Sequence, residues 1–232
     1  MALTPQSNEA FFREVDDQVR QDQLFGFWQR YGRLTIALIV AALLAFAGFL
    51  WWQNHRAHQA GLDSEALMGV LNDLGEGKTK DAKPRLDKVA ASPRDAYAAT
   101  ARLTSAAVAL ENGDAKGAAS QYKAIAADDG LAQPFRDLAL VRETAVEFDT
   151  LPPAEVISRL QPLAVAGNPW FGSAGEMVAV AHLKLNQRAD AGRLFGAMAK
   201  DEGVPESIRS RASRMAGALG VDALPLPPAA KE

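Results

Sequence analysis

The sequence predicts an all-α protein: an N-terminal cytoplasmic helix, a single transmembrane helix, then an α-solenoid of about four degenerate helix-turn-helix units with a C-terminal capping helix. Three observations predict it. Leu34 to Trp52 is a run of nineteen residues without a charge. Residues 109–130, "ALENGDAKGAASQYKAIAADDG", and 182–203, "HLKLNQRADAGRLFGAMAKDEG", align at an offset of 73. Outside the apolar run Ala is abundant and β-branched and aromatic residues are sparse, which favours helix. The expected division is 1–33 cytoplasmic amphipathic segment, 34–54 transmembrane helix, 55–220 repeat domain and 221–232 disordered tail.

The totals narrow the function. A net charge of −3 advertises no basic surface for nucleic acid, and the absence of cysteine excludes disulfides and thiolate metal sites.

The first 33 residues include Glu9, Glu14, Asp16, Asp17 and Asp22, unlike the short basic start of a secretory signal. Residues 9–31 read as helix. Phe12, Val15 and Val19 share one face, and Leu24, Phe27, Trp28 and Tyr31 share another. The shift between faces predicts two short helices or a bend near Gln21-Asp22. The aromatic half suits the headgroup layer, and the acidic half suits a protein contact.

The apolar run itself reaches about 28 Å as a helix, close to the hydrocarbon thickness of about 30 Å. Trp51 and Trp52 follow it in place of a small-residue cleavage site. A core helix apolar on every side would need surroundings that a small domain cannot supply. The run therefore reads as a permanent anchor. Arg20, Arg30 and Arg33 precede it and only Arg56 follows closely, so the positive-inside rule places the N-terminus in the cytoplasm and the C-terminal domain outside. Ala37, Ala41, Ala45 and Gly48 form a stripe of small residues suited to packing against another membrane helix, or simply reflect common Ala.

Beyond the anchor a small residue, a large one and a third apolar one recur: Ala82/Leu86/Val89, Ala118/Tyr122/Ile125, Val156/Leu160/Leu163 and Ala191/Phe195/Met198. The large residues are 35 to 38 positions apart. Ser92-Pro93, Gln133-Pro134, Asn168-Pro169 and Val204-Pro205 each open a new helix, with Ser92 and Asn168 as N-caps. Asn112-Gly113-Asp114, Leu151-Pro152-Pro153 and Asn186-Gln187 break each unit in two. Residues 205–219 put Ile208, Ala212, Met215 and Leu219 on one face, as a capping helix requires.

Signals for chemistry are weak. "GEGKT", 75–79, lacks the earlier Gly of a phosphate-binding loop and follows a helix, so it reads as a glycine-ended helix and turn. His55 and His58, with Asp63 and Glu65 nearby, supply too few ligands for a metal and read as interfacial residues. His182 reads as packing or rim, and Asp128-Asp129 as solvated helix-end acids. No nucleophile setting is legible, so no enzyme, cofactor, metal or small-molecule substrate is expected.

A two-helix period near 36, carried by Ala118/Tyr122 and Ala191/Phe195, resembles the tetratricopeptide repeat of about 34 residues. The resemblance implies a concave groove lined by the first helix of each unit, binding protein partners. Its expected lining is Tyr97, Arg102, Phe135, Arg142, Trp170 and Phe171, each with the alternative of a core or rim residue. The Lys/Asn carboxylate clamp of some co-chaperones is not legible, because Asn72, Asn112, Asn168 and Asn186 fall at turns or caps.

"EVDDQV", then "FWQRYGR", one span ending "FLWWQNHRAHQA", and repeats at once after it resemble the bacterial single-pass family of ancillary Sec translocon subunits. That resemblance implies an inner-membrane adaptor with a periplasmic repeat domain, associated with translocon subunits and with periplasmic chaperones or client chains. The alternatives are an envelope scaffold for cell division or outer-membrane assembly, and a membrane-bound enzyme or stress-response regulator.

Overall fold

The computed structural model describes residues 6–78 and 82–221, with side chains from Tyr31 onward. The faces expected of Phe12, Val15, Val19, Leu24, Phe27 and Trp28, and the tail beyond 221, lie outside this description. All described elements are helical. α1 is Gln6–Gly75, α2 Ala82–Ala90, α3 Asp95–Glu111, α4 Ala115–Ala126, α5 Gln133–Glu147, α6 Pro153–Leu160, α7 Phe171–Lys184, α8 Arg188–Lys200 and α9 Glu206–Ala218. The helix α1 is continuous through Gln21-Asp22. The expected pair of short helices is therefore not formed, because a rotating apolar face changes which side is buried without interrupting backbone hydrogen bonds.

The chain divides into two compact units, Met1–Gly61 and Leu62–Glu232. In the first, residues 36–52 are exposed on every side of the helix. Among the described residues this is the one helix long and apolar enough to cross a membrane. Ala37, Ala41, Ala45 and Gly48 are all exposed on it, and a Cβ on Gly48 would meet nothing within 4 Å. The end of the run is aromatic: His55 stacks on Trp51 with ring centroids 5.6 Å apart, and the Arg56 guanidinium lies 4.5 Å from the Trp52 ring centroid. Such amphipathic pairs present an apolar body and a polar tip, which suits an interfacial belt.

The second unit is built on the recurring triplets. Four buried clusters hold one triplet each. Ala82, Leu86 and Val89 pack with Leu67 and Val70 at the end of α1, and with Ala101 and Val108 of α3. Ala118, Tyr122 and Ile125 pack with Ala99 and Ala106 of α3 and Ala139 of α5. Val156, Leu160 and Leu163 pack between Val141 of α5 and Val178 of α7. Ala191, Phe195 and Met198 pack with Phe171 of α7 and Ala212 and Ala216 of α9. The spacing i, i+4, i+7 puts three of the triplets on one helix stripe each; in the third, Leu163 lies in the turns beyond the end of α6. The small member lets helices approach, and the large member fills the space one turn on. Helices α3, α5 and α7 each serve two clusters, so adjoining units share their cores. This is the linear logic of a solenoid. In the capping helix Ala216 takes the buried position expected of Met215, which is 36% exposed.

Turn chemistry follows the offset of 73. At the end of α3, Gly113 has φ 84, and the N–H groups of Gly113 and Asp114 donate to the carbonyls of Leu110 and Ala109 at 2.9 Å. At the end of α7, Asn186 has φ 60, and the N–H groups of Asn186 and Gln187 donate to Leu183 and His182 at 3.0 and 2.9 Å. Both are Schellman ends, which need a left-handed residue that Gly or Asn supplies. The end of α1 in "GEGKT" is the same motif, with the Lys78 N–H donating to the Asp73 carbonyl at 2.8 Å.

The expected N-caps lie further out. α3 begins after Arg94 and α7 after Trp170. Ser92 Oγ instead accepts from the Arg94 N–H at 3.2 Å, and Asn168 Oδ1 from the Trp170 N–H at 2.8 Å. Each side chain thus stabilises the turn that enters the helix. Gln133 and Pro134 lie inside the first turn of α5, and Pro153 opens α6, as the missing N–H of proline allows.

Candidate protein-interaction surfaces

The helices are not equivalent in exposure. α3 touches α5, α5 touches α7 and α7 touches α9, so the first helices form a continuous layer. Among the described residues no two of the second helices α2, α4, α6 and α8 touch one another. Between α2 and α4 this leaves a groove with α3 as its floor.

Grooves open beside the second helices. Between α2 and α4, Lys83, Ser105, Ala109 and Gln121 line a cavity of about 410 Å³ over α3. Between α4 and the C-terminal half of α5, Ala119, Ser120, Val146 and Glu147 line one of about 620 Å³. Beside α7, Val178, His182, Arg193 and Leu194 line one of about 250 Å³. Binding clefts fall in the range of about 300–1,000 Å³.

Ion pairs fix the groove walls. Arg159 of α6 donates to Glu147 at 2.7 Å, to Glu155 at 2.6 Å and to the buried Glu143 at 3.3 Å. Burial pushes the Glu143 carboxyl above its ordinary range, and the positive charge of Arg159 opposes that shift. Arg102 of α3 donates to Asp128 at 2.6 Å, and the other oxygen of Asp128 accepts from the Gly130 N–H at 3.1 Å. These two hydrogen bonds hold the Asp128 carboxyl below its ordinary range. Its counterpart Asp201 accepts from the Gly203 N–H at 2.8 Å and from the Gly167 N–H at 3.2 Å. Asp129 pairs with Arg136. Of the two acids expected to be solvated, Asp129 is 94% exposed, while Asp128 clasps the α4–α5 turn.

The expected groove residues take several places. Tyr97 is half-buried against the first cluster, Phe135 against the second and Trp170 against the third. Phe171 is 1% exposed and lies in the fourth core. Arg102 lines the gap between α2 and α4 while paired with Asp128. Arg142 is exposed, and its charge reaches the buried Tyr122, whose hydroxyl burial keeps protonated above its ordinary range. The structure does not gather these six into one cavity.

The α4 wall was missed. Lys116, Ala119, Ser120 and Lys123 have the i, i+3, i+4, i+7 spacing of one helix stripe, which was readable in the sequence. A short Ala and Ser between two lysines read as ordinary surface. His182 Nδ1 lies 2.6 Å from Gln187 Oε1, a local bond at the α7–α8 turn. Among the described residues no cluster of three or more His, Cys, Asp or Glu is placed to hold a metal.

The family described as tetratricopeptide repeat-like domain matches residues 26–191, which runs from before the span into α8. No curated protein and no solved structure matches the chain.

Proposed function

We propose, because the chain belongs to the tetratricopeptide repeat-like domain family, that it is a non-enzymatic, membrane-anchored adaptor of a bacterial inner membrane. Residues 34–54 lie in the bilayer, residues 1–33 face the cytoplasm and the repeat stack stands in the periplasm. There it associates with the Sec translocon and recruits periplasmic chaperones or emerging client chains.

The observation that carries this reading is the pairing of an unburied apolar helix with an interaction module on one chain. Residues 36–52 are exposed on every side, and lipid is the solvent in which that surface is stable. Family membership supports protein partners in general. The Sec assignment draws its support from the N-terminal motifs "EVDDQV" and "FWQRYGR" and from the order of parts. The cytoplasmic side of the N-terminus draws its support from Arg20, Arg30 and Arg33 against Arg56.

A photo-crosslinking side chain placed at Ala37, Ala41 or Ala45 in native membranes tests the reading. The expected adducts are with translocon subunits. Adducts with division or outer-membrane-assembly proteins alone, under conditions that trap neighbours efficiently, contradict it in favour of an envelope scaffold.

A further inference from the structure

The groove between α4 and α5 has a polarity that its own packing does not need. Lys116 and Lys123 stand on one stripe of α4, two turns or about 10 Å apart. Among the described residues neither makes an ion pair, like Arg142 of α5 and unlike Lys83, Arg85, Arg102, Arg136 and Arg159 on the helices around them. Lys123 senses the buried Glu143 only at a distance. Between the two lysines Ala119 and Ser120 leave a floor without bulk, and Val146 of α5 adds an apolar wall.

The far side is opposite in sign. Glu147 is bonded to Arg159, and that one guanidinium also carries Glu143 and Glu155. Three carboxylates sharing one cation leave that side negative.

We propose that this groove docks one amphipathic helix of a protein partner, whose small apolar residues face Ala119 and Val146 and whose carboxylates, seven residues apart, face Lys116 and Lys123. Two helices laid side by side advance by the same rise per residue, so the lysine spacing on α4 sets the carboxylate spacing on the partner. The negative α5–α6 side repels a helix docked with its acidic edge reversed and so fixes its orientation. Both lysines sit at the surface, so the attraction is modest and weakens with salt. The inference rests on the interaction role proposed above and names the partner's chemistry; it does not rest on the export assignment.

The test titrates the full-length chain, in detergent micelles at low salt, into two fluorescein-labelled Ala/Leu helical peptides. One carries Glu at two positions seven apart and the other carries Lys there. Anisotropy is expected to show the Glu peptide binding roughly tenfold more tightly, the scale two exposed ion pairs allow. The double variant K116E/K123E is expected to reverse that order. Ser120→Trp, at an exposed position, is expected to fill the floor and abolish binding while circular dichroism shows unchanged helix. Equal binding of both peptides, binding of neither, an unchanged preference in K116E/K123E, or persistent binding to Ser120→Trp would each overturn the proposal. Crosslinks to the translocon without peptide binding would remove this groove and leave the export role. Peptide binding without those crosslinks would do the reverse.

Discussion

The apolar side chains of the span and those of the repeat stack are of the same kinds but meet opposite fates. Leu43 and Phe46 are 62% and 60% exposed, whereas Leu160 and Phe195 are at 0% and 2%. In the stack each large side chain has a small partner four residues earlier and a neighbouring helix to receive it. In the span there is no alternation of face, so no single neighbour can cover it. The difference teaches that apolarity alone does not decide burial in protein. A stripe finds another helix, whereas the all-round surface of residues 36–52 finds none and is long and apolar enough to cross a membrane.

Charge insertion breaks this comparison most strongly. Leu160→Arg is expected to unfold the third core, because a buried unpaired cation costs several kcal/mol. Membrane retention should survive it. Leu43→Arg, at the middle of the span, costs about 2.5–3.5 kcal/mol of insertion and should lower retention while the stack still melts cooperatively. Carbonate extraction and thermal circular dichroism on both variants check the pair. Loss of both properties in both variants would mean that the two regions are not energetically distinct.

Truncation is the next largest effect. Phe195→Ala is expected to destabilise the stack by about 3–5 kcal/mol, since the side chain fills the space between α7, α8 and α9. Chemical denaturation measures it, and a loss under about 1 kcal/mol would show that the fourth core can collapse onto the gap.

A smaller effect separates the two copies of the Schellman end. Gly113→Ala is expected to cost about 1 kcal/mol and Asn186→Gly to add a few tenths, because only the first forces a Cβ into the left-handed region. Equal melting shifts of the same sign would contradict the shared turn geometry.

The weakest expected effect is on pH dependence. Glu143 has a raised native pKa, so the native state holds its proton more tightly than the unfolded chain does. Its contribution to stability therefore falls as pH rises from the ordinary value of 4.5 through the higher native one. Asp128 has a lowered native pKa, so its contribution is present above the ordinary value of 3.8 and is lost as pH falls through the lower native one. Glu143→Gln should remove the first slope and Asp128→Asn the second. Stability measured by denaturant at stepped pH checks both, and slopes unchanged in the variants would contradict the assignments.

What was legible in the sequence was local. The apolar run needs only a count of uncharged residues, and each core triplet lies within eight consecutive positions. Those two patterns carried the all-helical fold, the four cores and the capping helix. What was not legible depends on residues far apart. Arg102 meets Asp128 across 26 positions, and Arg211 meets Glu176 across 35. The groove lining was hard to read for a related reason. α3, α5 and α7 each serve two cores, so aromatic residues at or beside their starts, such as Tyr97 and Trp170, are drawn into packing. The open spaces lie beside the second helices, and periodicity alone does not place them.

Topology tests the account most directly. Protease added to the outer face of intact spheroplasts is expected to digest the repeat stack and leave a membrane-protected fragment containing residues 34–54. A stack that resists digestion there, and is digested only in inverted vesicles, would contradict both the orientation and the periplasmic adaptor role.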